Sequence, residues 1–267
     1  MILTRLLRRK RSIVDPKLLT VLEAVAAIAF IHQMFIGHFW LIFCLTYTLG
    51  FCLIAGNHRL LAHRSWPCPH WLRNLLSLGA CLALQSAPLS WVASHRAHHR
   101  TSDTAADVQS PVHHNRWWVH FLSFANVPDL TLALDLWKDP WQRFLFDFYW
   151  IINIAFVALL YFINPDYISI WLATAFSAQM ITFTITSIAH DTPWYFFPTS
   201  ETIESDRSRN IPIVAMFSGG EAWHLNHHVD PSRWYNGRKW WQIDLTGIQI
   251  FIIIMITNPL YFLRKTK

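Results

Sequence analysis

Long apolar runs separated by short polar segments leave this chain few ways to fold. From Leu18 to Gly56 it is almost wholly apolar, and Phe144–Tyr161 and Tyr167–Ala189 form a second apolar pair. A helix needs about 20 apolar residues to cross the hydrocarbon of a bilayer. The first run therefore holds two spans, turned at Ile36, Gly37 and His38. Asn164, Pro165 and Asp166 turn the second pair, and this turn carries no Lys or Arg, as expected of a non-cytoplasmic loop. Lipid cannot satisfy backbone polar groups, so spans of this kind are helical. The expected architecture is an all-α integral membrane protein, one domain over residues 1–267. It has four transmembrane helices in two hairpins, near 18–35, 38–56, 144–161 and 167–189. Segment 74–91 is apolar but broken by Gln85, Ser86, Pro88 and Ser90, so it is expected to be interfacial or re-entrant. Segment 248–262 is short and is expected to lie at the interface too.

Composition supports a membrane protein over a soluble one: 53% of residues are hydrophobic and only 14% charged. The net charge of +6 gathers near the ends and short loops. Arg5, Arg8, Arg9, Lys10, Arg11 and Lys17 at one end, and Arg264, Lys265 and Lys267 at the other, place both termini on the cytoplasmic face. No convincing cleavage site follows Ala27 or Ala29, so the basic start reads as an orientation signal. No nucleic-acid motif accompanies the basic residues, and no nucleic-acid partner is expected. Trp117, Trp118, Trp137 and Trp141 suit anchoring at lipid headgroups. The four cysteines form no CxxC pair, which argues against an iron–sulfur centre. Redox chemistry here needs electrons from outside.

Histidines carry the chemistry. His58 and His63 form one cluster, His95, His98 and His99 a second, and His224, His227 and His228 a third, with His190 alone at the end of an apolar run. With two hairpins that cross and return, all nine fall on the cytoplasmic side. Positions i, i+3 and i+4 share a helix face, which suits the second and third clusters. His58 and His63 are five apart, about 140° off on a regular helix, and need a helix end, a loop or a distortion. Nine imidazoles exceed one tetrahedral zinc and suit two metals with four or five ligands each. A nitrogen-rich site beside a membrane suits two irons that activate O₂; zinc has no redox role. His32 and His38, near the first turn, are expected at the membrane interface opposite the basic terminus, and His113, His114 and His120, which lack such spacing, at the surface or behind the ligands.

The strings Asn57–Ser65, Trp91 with Ser94–Arg100, Ser187–His190 and Gly220–His228 resemble the membrane fatty acid desaturases, especially the acyl-CoA, delta-9-like type. The likeness runs from about Gly50 to Thr246. It implies O₂-dependent insertion of a cis double bond into a saturated fatty acyl chain at a di-iron centre in a cytoplasmic helical cap. The family pattern assigns His58, His63, His95, His98 and His227 to one iron and His99, His190, His224 and His228 to the other. It implies a substrate on CoA, acyl carrier protein or lipid, and an external donor, ferredoxin or a cytochrome b5-type protein. The enzyme would sit in the plasma membrane or an internal membrane.

The chain departs from that pattern in places. Thr186 stands where the family usually has an Asn that positions a metal-bound water, and a hydroxyl can also hold one. Leu225 replaces another family Asn, while Asn226 matches the one seen in some bacterial members. Segment 103–118 is shorter than usual, although Asp103 and Asp107 keep the acidic positions. Glu221 is the expected carboxylate partner of a ligand histidine. Arg96, Arg100, Arg207 and Arg209 are candidates for a phosphate-bearing headgroup. Alternatively, Arg59, Arg64, Arg96 and Arg100 face lipid headgroups or pair with Glu221, Asp103 and Asp107. A narrow apolar tunnel between 38–56 and 167–189 would select the acyl chain. A di-iron hydroxylase acting on an acyl or alkyl chain is the alternative enzyme. A metal transporter is disfavoured because the histidines fall outside the apolar runs.

Overall fold

A computed structural model describes residues 16–122, 128–190 and 205–261. The basic residues at 5–11 and 264–267 lie outside these, so the orientation expected from them is not addressed by the fold. The regular elements among the described residues are helices, with one isolated bridge between Asn210 and Trp223. Helices α1 (Pro16–Phe35) and α2 (Phe39–Ala62) follow the first apolar run, turned at Gly37, whose φ is +85°. Then come α3 (His70–Cys81), α4 (Pro88–Thr101), α5 (Arg116–Leu122) and α6 (Leu134–Trp137). Next are α7 (Pro140–Asp147), α8 (Tyr149–Ile163) and α9 (Asp166–Ile188). The last are α10 (Pro212–Phe217), α11 (His224–Val229) and α12 (Leu245–Thr257).

Two helices, α2 and α9, are long and apolar enough to cross a membrane. The expectation of four straight spans is narrowed by the rest. Phe144–Tyr161 is not one helix, because α7 and α8 meet at a 73° bend and count together as a third crossing only if the pair is one broken span. The apolar part of the first segment, Thr20–Phe35, and α12 are both shorter than a full span. The expected second span stops at residue 56, whereas α2 continues to Ala62.

That extension is what delivers the first histidines. From Cys52 to Ala62 the helix changes to π-type, closing i→i+5 hydrogen bonds. His63 N–H donates to the His58 carbonyl at 3.2 Å. The five-residue spacing is one turn of this wider helix, so both rings leave from the same side. Close packing of α3 on the widened segment accompanies it. A Cβ added at Gly56 would lie 3.0 Å from Leu76 Cβ, and one at Gly79 would lie 2.5 Å from Cys52 Sγ. The absence of side chains at both lets the two backbones approach.

Residues 74–91 form a helix end, a buried turn and a new helix start. α3 ends at Cys81 and α4 begins at Pro88, where proline's missing N–H costs nothing. The turn's carbonyls are satisfied by α9. Trp171 Nε1 donates to Leu82 at 3.0 Å, and Gln179 Nε2 donates to Leu84 at 3.1 Å. Trp171 and Gln179 of α9 thus face protein rather than lipid. Beneath the histidines, Ala55, Leu61, Leu76, Leu89, Val92, Tyr149, Ile250 and Ile254 form the main core.

Candidate metal centre

The ligand candidates come from the ends of elements. His58 and His63 finish α2, His95, His98 and His99 lie in the last turns of α4, His190 follows the end of α9, and α11 carries the rest. Gly219 and Gly220, at φ +64° and +100°, turn the chain into Glu221. A Cβ at Gly220 would meet Asp244 Oδ1 at 2.5 Å, so only glycine fits.

All nine rings gather into two groups. His58, His63, His95, His99 and His227 form one, and His98, His190, His224 and His228 the other, with one nitrogen from each ring within 4.8 Å of the others in its group. His98 and His99 are exchanged relative to the expected division. The reason is helical phase: neighbours on α4 point about 100° apart and so serve different groups. The groups touch, with the His99 and His228 ring centroids 4.4 Å apart.

Four carboxylates fix the tautomers. His58 Nδ1 meets Glu221 Oε2 at 2.5 Å, His98 Nδ1 meets Asp107 at 2.8 Å, His190 Nδ1 meets Asp103 at 2.8 Å, and His228 Nδ1 meets Asp206 at 2.9 Å. A carboxylate on Nδ1 holds the proton there and leaves the Nε2 lone pair facing inward. His227 Nε2 lies 2.9 Å from His58 Nε2 and 3.0 Å from His99 Nε2. His224 Nε2 lies 2.8 Å from His190 Nε2 and 3.1 Å from His228 Nε2. Adjacent ligands of one metal with bonds of about 2.1 Å sit about 3.0–3.4 Å apart. The donor set and its spacing therefore fit a cation inside each group.

The electrostatics keep these rings ready as ligands. Burial pushes His63, His95, His99, His224, His227 and His228 well below the ordinary histidine range, and neighbouring rings push the same way. His98 is also lowered by burial, but Asp107, Asp103 and Asp206 together outweigh that and raise it. Burial raises Glu221, yet Arg59 and His58 win and hold it at about 2. Asp103 is likewise raised by burial and brought down to about 2, first by His190.

Arg59 is among the largest fully buried side chains of the described residues. It donates to Glu221 Oε1 at 2.9 Å through Nε, to Asp244 Oδ2 at 2.8 Å and to the Trp234 carbonyl at 2.7 Å. Asp244 also caps α12 through the Gly247 N–H. One guanidinium thus ties α2, the turn before α11 and the start of α12.

Glu221 takes the expected role of histidine partner. Asp103 and Asp107, weighed from the sequence as partners of arginine, instead hold His190 and His98; Asp206 was not singled out. Two aspartates within eight residues of His99, in a chain with only 16 acidic residues, were the available signal. Arg96 is engaged by Asp135 at 2.6 Å and by the Ala62, Leu61 and Leu132 carbonyls. Arg100 and Arg207 are exposed, and Arg209 is half-buried with Nη1 on the Ser208 carbonyl. Asn226 is structural, bonded to Asn210, Asn236 and Gln242. Thr186 lines a cavity of about 460 Å³ with His58, His95, His224, Leu53 and Ile181. His38 bonds Gln33, His120 bonds Ser187 and His113 bonds the Asp103 carbonyl; all three stand apart from the two groups.

Two carboxylate-backed imidazole groups beside an apolar cavity, at the ends of membrane-length helices, define an integral membrane metalloenzyme. The profile described as Fatty acid desaturase matches residues 21–247. The chain is 33% identical over 244 residues to the sn-1 stearoyl-lipid 9-desaturase of Anabaena variabilis, covering 85% of each. It is 31% identical over 217 residues to a probable chloroplastic lipid desaturase of Arabidopsis thaliana, covering 78% of this chain and 58% of that one. It is 32% identical over 259 residues to the icosanoyl-CoA 5-desaturase of Limnanthes douglasii, covering 90% and 69%. This chain belongs to the fatty acid desaturase family. It is an oxidoreductase that carries out O₂-dependent fatty acid desaturation at its histidine-clustered site.

Proposed function

We propose a four-span, di-iron enzyme that inserts a cis double bond into an acyl chain carried on a membrane lipid. The observation that carries the reading is the apolar cavity lined by rings from both histidine groups: His58 and His95 from one, His224 from the other. His58, His63, His95, His99 and His227 would hold one iron, and His98, His190, His224 and His228 the second. When bound, the irons supply O₂ activation, which removes two hydrogens from adjacent CH₂ groups with two electrons from outside. The protein's own residues do the rest. Leu53, Ile54, Ile181 and Ile185 hold the chain by burial and keep water out of the cavity. Each buried CH₂ contributes about 0.8 kcal/mol. Thr186, in the same cavity, offers a hydroxyl that can orient a water beside His224.

The cavity shares Ile54, Ile181 and Thr182 with a second of about 350 Å³ that reaches Thr46 and Tyr47. That one shares Ile181, Phe217 and Ser218 with an open groove between α9 and α10, where Ile213, Met216 and Phe217 are exposed. A sideways apolar opening suits a chain still esterified in the bilayer. The stearoyl-lipid relative supports this carrier over CoA, while the icosanoyl-CoA relative keeps CoA as the competing case. Of the four arginines expected to meet a headgroup phosphate, Arg100 and Arg207 are the exposed ones. The four spans are α1, α2, the α7–α8 pair and α9, with both termini and the centre cytoplasmic. The donor is a separate ferredoxin or cytochrome b5-type protein.

The test is turnover in proteoliposomes with reductase and ferredoxin, offered a saturated phosphatidylcholine or the matching acyl-CoA. Mass spectrometry should find the new alkene in the phospholipid. Product only from acyl-CoA would overturn the carrier, and an alcohol in place of an alkene would establish the hydroxylase.

A further inference from the structure

The two histidine groups differ in how many of their rings are backed by a carboxylate. In the four-ring group, three of four imidazoles are backed by buried carboxylates: His98 by Asp107, His190 by Asp103 and His228 by Asp206. Among the described residues no cationic side chain bonds these three carboxylates. Their other partners are neutral: the Ser110 hydroxyl and Arg207 amide on Asp103, the Asp103 and Gln109 amides on Asp107, and the Ser208 amide on Asp206.

In the five-ring group, among the described residues, only His58 has a carboxylate, Glu221. That carboxylate is already claimed by the buried Arg59 guanidinium. His227 Nδ1 is buried with no partner, as is His224 Nδ1 in the four-ring group, so this feature is common to both. Arg96, which follows His95 directly in α4 and holds the Leu61 and Ala62 carbonyls beside His63, is neutralised by Asp135, and among the described residues that carboxylate reaches no ring.

We infer that the metal positions are unequal, and that the four-histidine position binds its divalent cation first and more tightly despite having fewer ligands. This rests on the di-iron reading above. The physical reason is charge. A carboxylate behind an imidazole orients the ring and makes its inner nitrogen a better donor, and losing such a partner typically costs about 10- to 100-fold in metal affinity. The four-ring group has two more such partners than the five-ring group, worth roughly 10²- to 10⁴-fold at that rate. The extra ring of the other group adds a neutral donor with no carboxylate behind it. The shortage of carboxylate-backed rings makes the five-histidine position the weaker one, and Asp103, Asp107 and Asp206 act as positioning residues for the stronger.

The test uses the full chain in lipid nanodiscs, stripped with a chelator and titrated without oxygen with isotopically labelled ferrous iron, read by binding isotherm and Mössbauer spectrum. The wild-type protein should fill in two steps, with one spectral component at half loading and a second after it. Asp206→Asn should weaken the first step about 10- to 100-fold and leave the second, with Asp206→Glu restoring part of the loss. Glu221→Gln should weaken only the second. Two irons taken up in one step with both components present from the start overturn the inference, whether or not any variant folds. So does a first step that ignores Asp206→Asn and moves with Glu221→Gln. Failure to bind iron at all would instead remove the di-iron reading itself.

Discussion

Replacing Arg59 by methionine should be among the most damaging single changes outside the histidines. The side chain is 1% exposed and makes five hydrogen bonds, to Glu221, Asp244 and the Trp234 carbonyl. Its removal leaves two carboxylates facing each other in the interior. Breaking a buried pair by removing one partner costs about 3–5 kcal/mol, because the remaining charge is uncompensated. At about 2–4 °C per kcal/mol for a chain of this size, Tm should fall by roughly 6–20 °C. Arg64→Met is the control. Arg64 pairs with Asp135 at 2.7 Å, but its side chain is 66% exposed, so the change should cost at most about 1 kcal/mol. Both are measured by thermal unfolding of metal-stripped protein in the same detergent, so that lost metal does not enter. Should Arg59→Met and Arg64→Met melt within about 2 °C of each other, burial would not be what gives the Arg59 cluster its weight.

Other consequences are simpler to check. His98→Ala and His227→Ala should each lower bound iron and abolish desaturation while the protein still inserts in membranes; full activity in either would contradict its ligand role. Ile181→Trp, in the wall shared by all three apolar spaces, should shift preference toward shorter chains, by about 4-fold per methylene excluded at 0.8 kcal/mol each. An unchanged chain-length profile would place the substrate elsewhere. Asp135 is raised by burial and lowered more by Arg96 and Arg64, to about 2 from an ordinary value of 3.8. Its folded value is depressed, so its contribution is present above about pH 4 and fades as pH falls toward 2. The Tm gap between wild type and Asp135→Asn should therefore be constant at neutral pH and close on acidification; a gap that widens would reverse the sign.

The apolar runs by themselves determined that the chain is helical and membrane-embedded, because only helices satisfy their own backbone in lipid. The histidine spacings determined that metal chemistry was at stake, because three clusters of imidazoles in a chain with few charges have little other use. Helical periodicity could not show how α7 turns against α8, because the 73° bend at Phe148 is marked only by the single charge of Asp147 in an otherwise apolar run. Nor could it show the π-helical end of α2, since hydrophobic spacing does not register one extra residue per turn inside a continuously apolar run. The assignment of His98 and His99 to opposite groups, and of Asp103, Asp107 and Asp206 to particular rings, depends on how α4, α9 and α11 meet. Those partners are separated by 9 residues in one case, 87 in another and 22 in the third, distances over which local sequence carries no register. Which residues could bind metal was written in the chain; which of them share a metal was decided by packing, because a ring's direction is set by the helix phase and by the neighbour that holds its second nitrogen.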